Sequence, residues 1–187
     1  MVPILALWLP ILIAAVLVFV SSSIIHMVLG YHRNDFRGIE DEDAVMDALR
    51  PANLAPGDYF FPHAASPEVM RSEAFQAKLA KGPIAFFTVG DPGAFTSMAR
   101  NLAQWFVYCV VVGVVVAYVA GRTLAPGTDY LTIFRLAGTV AFCCYALALP
   151  LNSIWYHRQW STTLKSMFDG LIYGILTAGT FGWLWPE

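Results

Sequence analysis

Residues 102–120 read LAQWFVYCVVVGVVVAYVA, a run without a single charged side chain. A helix of about 20 such residues crosses the hydrocarbon core of a bilayer, which is about 30 Å thick. The whole chain of 187 residues is 58% hydrophobic and only 13% charged. Soluble domains average about 45–50% apolar and about 25% charged residues. The composition therefore indicates an integral membrane protein.

Three further stretches are long and apolar enough to be spans, so the sequence predicts four transmembrane helices. Their approximate ranges are Ile4–Leu29, Leu102–Ala120, Leu131–Trp155 and Met167–Trp185. Each must be helical, because lipid offers the backbone no other hydrogen-bond partner. No Lys or Arg precedes the first stretch, which is long for a signal peptide, so we expect it to be retained. The predicted fold class is an all-α membrane protein with a four-transmembrane-helix bundle.

The polar region between the first two spans predicts a small α/β insertion. We expect aromatic strands at Asp58–Pro62 and Ile84–Val89, with one helix between them from about Pro67 to Lys81. A further short helix is expected at Asp41–Leu49. Strand, helix and strand in this order predict a βαβ-like unit with a right-handed crossover, in which the two strands run parallel. The predicted domains are residues 1–30, 31–97 and 98–187.

Basic residues near the span ends predict the orientation, because positive charge marks the cytoplasmic side. The side that holds the insertion carries Arg33, Arg37, Arg100, Arg158 and Lys165. The opposite side carries Arg122, with Arg135 just inside the third span. We therefore expect a multi-pass protein of the bacterial inner membrane, with a cytoplasmic insertion and both termini outside.

Small residues recur at four-residue spacing in the second and fourth predicted spans. They are Gly113, Ala117 and Gly121 in one span and Gly170, Gly174 and Ala178 in the other. Such stripes let helix backbones approach closely in a membrane. Two interpretations remain open: contact within one bundle, or contact with a partner subunit.

Histidines supply the only candidate cofactor ligands that the pattern offers. His26 near the end of the first span and His157 at the end of the third fit the same membrane depth, which a b-type haem held by two histidines requires. The alternative is a pair of interfacial histidines bonded to backbone or headgroups. Neither the three cysteines nor the acids at 40–43 form a metal motif. We therefore expect no bound metal and no cofactor.

Charged side chains inside the predicted spans are sparse, which argues against a pump or transporter. Asp169 is expected at the start of the fourth helix, where the helix dipole favours an acid, with Lys165 one turn earlier. The candidates for a polar path are threonines: Thr132, Thr139, Thr177 and Thr180. Motifs of hydrolases, nucleotide-binding proteins and metalloproteases do not occur in the sequence, so an enzyme is not favoured.

The loop between the third and fourth spans combines aromatic and basic residues. Its candidate contact residues are Trp155, His157, Arg158 and Trp160. Loops of this kind bind anionic lipid headgroups or a partner protein. The alternative is an ordinary basic loop with interfacial tryptophans.

Three segments carry a resemblance to known proteins: Trp155–Lys165, Asp169–Tyr173 and Gly182–Pro186. They look like the corresponding segments of a family of small uncharacterised bacterial integral membrane proteins. The resemblance implies a membrane location and no function.

These patterns favour a non-enzymatic accessory or structural subunit that packs against a larger membrane assembly. The expected partners are the lipid bilayer and other membrane protein subunits. Nucleic acid is not expected, because the net charge of −2 offers no clustered basic surface. The alternatives are a small oligomeric transporter or channel and a b-type haem electron carrier.

Overall fold

The structure is a computed structural model that describes residues 1–93 and 97–187. It divides into a helical unit, Met1–Phe36 with Met98–Glu187, and a second unit, Arg37–Ser97. The division lies after Phe36 and not after residue 30, so Tyr31–Phe36 belong to the helical unit. Residues 94–96 of the predicted insertion lie outside the described part of the chain.

Helices dominate the described residues. In chain order the elements are α1 at Trp8–Ile24, α2 at Glu42–Leu49, β1 at Gly57–Phe61, α3 at Pro67–Arg71, α4 at Glu73–Lys81, β2 at Ala85–Val89, α5 at Met98–Thr123, α6 at Tyr130–Phe142, α7 at Pro150–Trp155 and α8 at Trp160–Trp183. A 3₁₀ turn at Ile4–Leu7 precedes α1, and π-helical segments follow α1 at Ile25–Leu29 and α6 at Cys143–Leu147.

Three helical segments of the described chain are long and apolar enough to cross a membrane. They are Ile4–Leu29, Met98–Thr123 and Tyr130–Trp155. The first three predicted spans are thereby confirmed as helices of sufficient length and apolar character. The fourth prediction falls on α8, which carries Lys165, Asp169 and several threonines and is not among these three.

The small-residue stripes lie inside the helical unit, where all six residues are buried. A methyl group built on Gly170 would lie 2.7 Å from the Cβ of Ala146, and one on Gly113 would lie 3.1 Å from Ile11. Helix α8 therefore packs closely against the third segment, and α5 packs against α1. The stripes make contacts within one chain, so they do not form an exposed surface for a partner subunit.

The second unit differs from the prediction in one helix and in the direction of its strands. Ser72 has an extended backbone and its hydroxyl accepts a hydrogen bond from the Phe75 amide at 3.3 Å, so it caps a new helix. The predicted single helix is therefore two, α3 and α4. The two helices bring the chain back to the end of the sheet at which β1 ends. The last residue of β1, Phe61, therefore pairs with the first residue of β2, Ala85. The strands are antiparallel, so the βαβ prediction was wrong.

We expect Gly170→Ala to destabilise the helical unit by about 1–3 kcal/mol, because the added methyl group overlaps Ala146 and the packed helices must separate. Gly179→Ala on the same helix is the matched control, since its methyl group would meet only the Tyr130 hydroxyl at 3.7 Å. The control should be neutral or gain up to about 1 kcal/mol of helix propensity. Thermal unfolding in detergent measures both, and equal melting temperatures would contradict the close packing.

Candidate functional site: a polar cluster between the first and last helices

The end of the first helical segment turns back onto α8. The π-helical segment Ile25–Leu29 ends at Gly30, whose φ of +67° is left-handed and therefore suits glycine. The Arg33 amide then donates to the Gly30 carbonyl at 3.2 Å. This reversal brings Tyr31, His32 and Asp35 against α8, where they meet Lys165 and Asp169. We call these five residues and His26 the polar cluster.

Asp169 is the centre of the polar cluster. It lies well inside α8, which begins at Trp160, and only 3% of its surface is exposed. The expectation that Asp169 starts its helix was wrong, because the helix begins in the loop that was predicted to precede it. The Tyr31 hydroxyl donates to Oδ1, and His32 Nε2 lies 2.8 Å from Oδ2. Both carboxylate oxygens therefore have a partner.

His32 bridges two carboxylates. Its Nδ1 lies 2.6 Å from Asp35 Oδ2, and its Nε2 lies 2.8 Å from Asp169 Oδ2. Ionised carboxylates only accept hydrogen bonds, and a neutral imidazole has a single N–H donor. Both contacts are satisfied when the ring carries a proton on each nitrogen. His32 therefore links Asp35 and Asp169 through its two ring nitrogens.

Lys165 completes the charge balance. It lies one turn before Asp169 on α8, and its Nζ donates to Asp35 Oδ1 at 2.8 Å and to the Tyr31 carbonyl at 2.7 Å. Burial opposes ionisation of Asp35, but the hydrogen bonds from His32 and Lys165 outweigh it and leave the pKa of Asp35 below its ordinary value. The Lys165 ammonium therefore offsets the charge of the Asp35 carboxylate.

His26 adds a second imidazole to the polar cluster. It lies in the π-helical segment, and its ring centroid is 4.4 Å from that of His32. One ligand atom each from His26, His32 and Asp169 lie within 4.8 Å of one another. Two imidazoles and a carboxylate are a donor set for a transition metal ion. No sequence motif indicates this set, because Asp169 is far along the chain from both histidines.

The loop residues and threonines singled out from the sequence are not part of the polar cluster. His157 sits in the exposed segment between α7 and α8 with a φ of +53°, and Trp155, Arg158 and Trp160 are also exposed. The ring of His26 lies against that of His32, and the haem pair of His26 and His157 stays a prediction. Of the threonines, Thr139, Thr177 and Thr180 donate to carbonyls one turn earlier on their own helices. These three hydroxyls are therefore already bonded.

An aromatic group lies beside the polar cluster. The ring of Tyr173, one turn after Asp169, lies 5.9 Å from Trp105 and 5.5 Å from Tyr145 between centroids. Trp105 donates to the Ser22 hydroxyl at 2.8 Å. The Tyr173 hydroxyl is buried and has no hydrogen-bond partner within residues 1–93 and 97–187. A buried hydroxyl without a partner is costly.

Comparison of the chain with protein-family models, with curated proteins and with solved structures finds no match. The polar cluster is therefore interpreted from its own geometry.

We expect Lys165 and Asp35 to be coupled by about 1.5–3 kcal/mol, the range for a hydrogen bond to a charged group. A double-mutant cycle with Lys165→Met and Asp35→Asn, measured by thermal unfolding in detergent, tests this coupling. The folded-state pKa of Asp35 is lowered, so the coupling is complete above about pH 4 and is lost as the pH falls through that pKa. Purely additive effects at about pH 7 would contradict the pair.

Proposed function

We propose that the chain is a small integral membrane protein with four spans that binds a cation at the polar cluster and moves it across the bilayer. The observation that carries this proposal is the buried carboxylate of Asp169 inside α8. Ionisable groups within membrane helices are costly and mark ion pathways in membrane proteins. A buried ion pair adds little net stability, so stability alone does not account for the cluster.

Helix α8 supports a fourth span when its polar residues are considered with their partners. Its 24 residues extend about 36 Å at 1.5 Å per residue, enough to cross the hydrocarbon core. An average hydropathy of α8 treats Lys165 and Asp169 as if lipid surrounded their side chains. In the folded chain Asp169 is bonded to Tyr31 and His32, and Lys165 to Asp35. The pairing removes most of the cost of placing α8 in lipid.

The proposed location is the bacterial inner membrane, with the second unit in the cytoplasm and both termini outside. The excess of basic residues beside that unit supports this orientation. The polar cluster then lies at the cytoplasmic end of the first span. A cation would reach it from the cytoplasmic side.

We expect Asp169→Asn to abolish cation flux into proteoliposomes, because the amide removes the negative charge that holds the ion. Asp129→Asn is the matched control, since Asp129 caps α6 from an exposed position and asparagine caps helices equally well. Dye-reported fluxes of protons, Na⁺, K⁺ and Zn²⁺ provide the measurement. Wild-type protein that passes none of these ions would overturn the proposal, and so would equal flux through both variants.

A second candidate function, the accessory subunit, is favoured by the second unit itself. Of its described residues only Phe75 is buried. The rings of Phe60 and Phe86 stack at 5.3 Å on a pair of strands, and Phe60 is 42% exposed. A two-stranded sheet is marginally stable in water. Contact of the aromatic side chains with another membrane subunit would stabilise it.

We expect a photoreactive benzoylphenylalanine in place of Phe60 to form an adduct with one discrete membrane protein in intact membranes. The same group in place of Met70, which is 54% exposed on α3, is the control and should form none. Gel mobility followed by mass spectrometry identifies the adduct. Adducts with lipid alone, or the same adducts at both positions, would argue against an accessory subunit.

A further inference from the structure

We propose that the cation is a divalent transition metal ion, of which Zn²⁺ is the type, held by His26, His32 and Asp169. This inference rests on the proposed function and names its ion. It contradicts the expectation of no metal site that the sequence alone supports. Three donor atoms from two distant parts of the chain already lie within 4.8 Å of one another.

The donor chemistry selects the class of ion. Imidazole nitrogen is a preferred ligand of Zn²⁺, Cu²⁺ and Ni²⁺, whereas Ca²⁺ and Mg²⁺ prefer oxygen ligands. Two histidines and one carboxylate are a set that binds Zn²⁺ in catalytic sites and leaves one position open. The donor set of His26, His32 and Asp169 therefore favours a transition metal ion over an alkali or alkaline-earth ion.

The three donor atoms, now within 4.8 Å of one another, must shift by up to about 1.5 Å to reach the spacing of metal ligands. Ligand atoms at tetrahedral positions about 2.0–2.1 Å from Zn²⁺ lie about 3.3 Å apart. His32 Nε2 and Asp169 Oδ2 are now 2.8 Å apart with a proton between them. A metal ion replaces that proton, which leaves to water, and the two atoms separate by about half an ångström.

The residues around these three donors are those expected around a metal site. Metal-bound histidines commonly donate their second N–H to a carboxylate, which fixes the ring and its tautomer. His32 makes this bond to Asp35, with Nδ1 and Oδ2 2.6 Å apart. The Tyr31 hydroxyl holds Oδ1 of Asp169, which leaves Oδ2 for the ion. Lys165 holds Asp35 in turn.

Tyr173 supplies an independent observation. Its buried hydroxyl has no partner among the described residues. Side chains on a helix lean towards its N-terminus, so the ring of Tyr173 lies over the turn that carries Asp169. A water molecule in the open fourth position of the metal would be a hydrogen-bond partner for this hydroxyl.

Metal titration of the full-length chain, purified in detergent and stripped with a chelator, tests the inference. We expect one equivalent of Zn²⁺ to bind, and one equivalent of Co²⁺ to give the visible absorption of a four-coordinate site. His26→Gln, His32→Gln and Asp169→Asn should each weaken binding at least tenfold, and Asp35→Asn by about 10–100-fold. The remaining two histidines provide matched controls, and His63→Gln and His157→Gln should bind like wild type.

Wild-type protein that binds neither ion would overturn the inference without any variant having to fold. Binding that survives all three ligand changes, or that His63→Gln weakens as much, would overturn it as well. The experiments distinguish a failure of the proposed transport from a failure of the proposed metal site. Zn²⁺ binding without flux would contradict transport and leave the metal site, whereas flux of another cation without Zn²⁺ binding would contradict the metal site and leave transport.

Discussion

A carboxylate buried in an apolar helix has to be neutralised, and the neutralisation of Asp169 organises one end of the helical unit. Its two oxygens take hydrogen bonds from Tyr31 and His32, so the chain after α1 must fold back over α8. His32 then requires a second acceptor, which is Asp35, and Asp35 requires Lys165. Because each partner lies in a poorly solvated place, the loss of one leaves the next unpaired. The cluster is therefore a connected network and not a set of independent pairs.

The helices and strands that depend on neighbouring residues alone could be predicted from short sequence patterns. The first three spans follow from continuous apolar runs, and the cap at Ser66 follows from a serine directly before a proline. The strands at Gly57–Phe61 and Ala85–Val89 follow from their aromatic composition. The relative direction of those strands was not predictable in this way, because it depends on whether Ser72 interrupts the helix between them.

The polar cluster could not be predicted from the sequence, and the reason is physical. Asp169 and Lys165 each have an ordinary local explanation, a helix terminus and a basic loop, and either explanation suffices when the residues are considered separately. Tyr31 and His32 look like solvent-exposed residues after a span, since no local pattern shows that Gly30 reverses the chain. The information that joins them is tertiary packing between residues at opposite ends of the chain. The small-residue stripes, by contrast, are visible in the sequence. Contact within one bundle is one of the two interpretations that their spacing allows, and it is the one that the structure shows.

Because of the reversal at Gly30, the polar cluster can form only at a late stage of synthesis. The donors from the first helix are made early in synthesis, but Asp169 is translated only with the last helix, after the rest of the helical unit. Until then His32 has only Asp35 as a carboxylate partner, and the Tyr31 hydroxyl lacks its acceptor on Asp169. A nascent chain therefore lacks the proposed site, which forms only once the residues after α1 have packed against α8. A bound ion would then stabilise the contact between the residues that follow α1 and helix α8, because it has ligands on both.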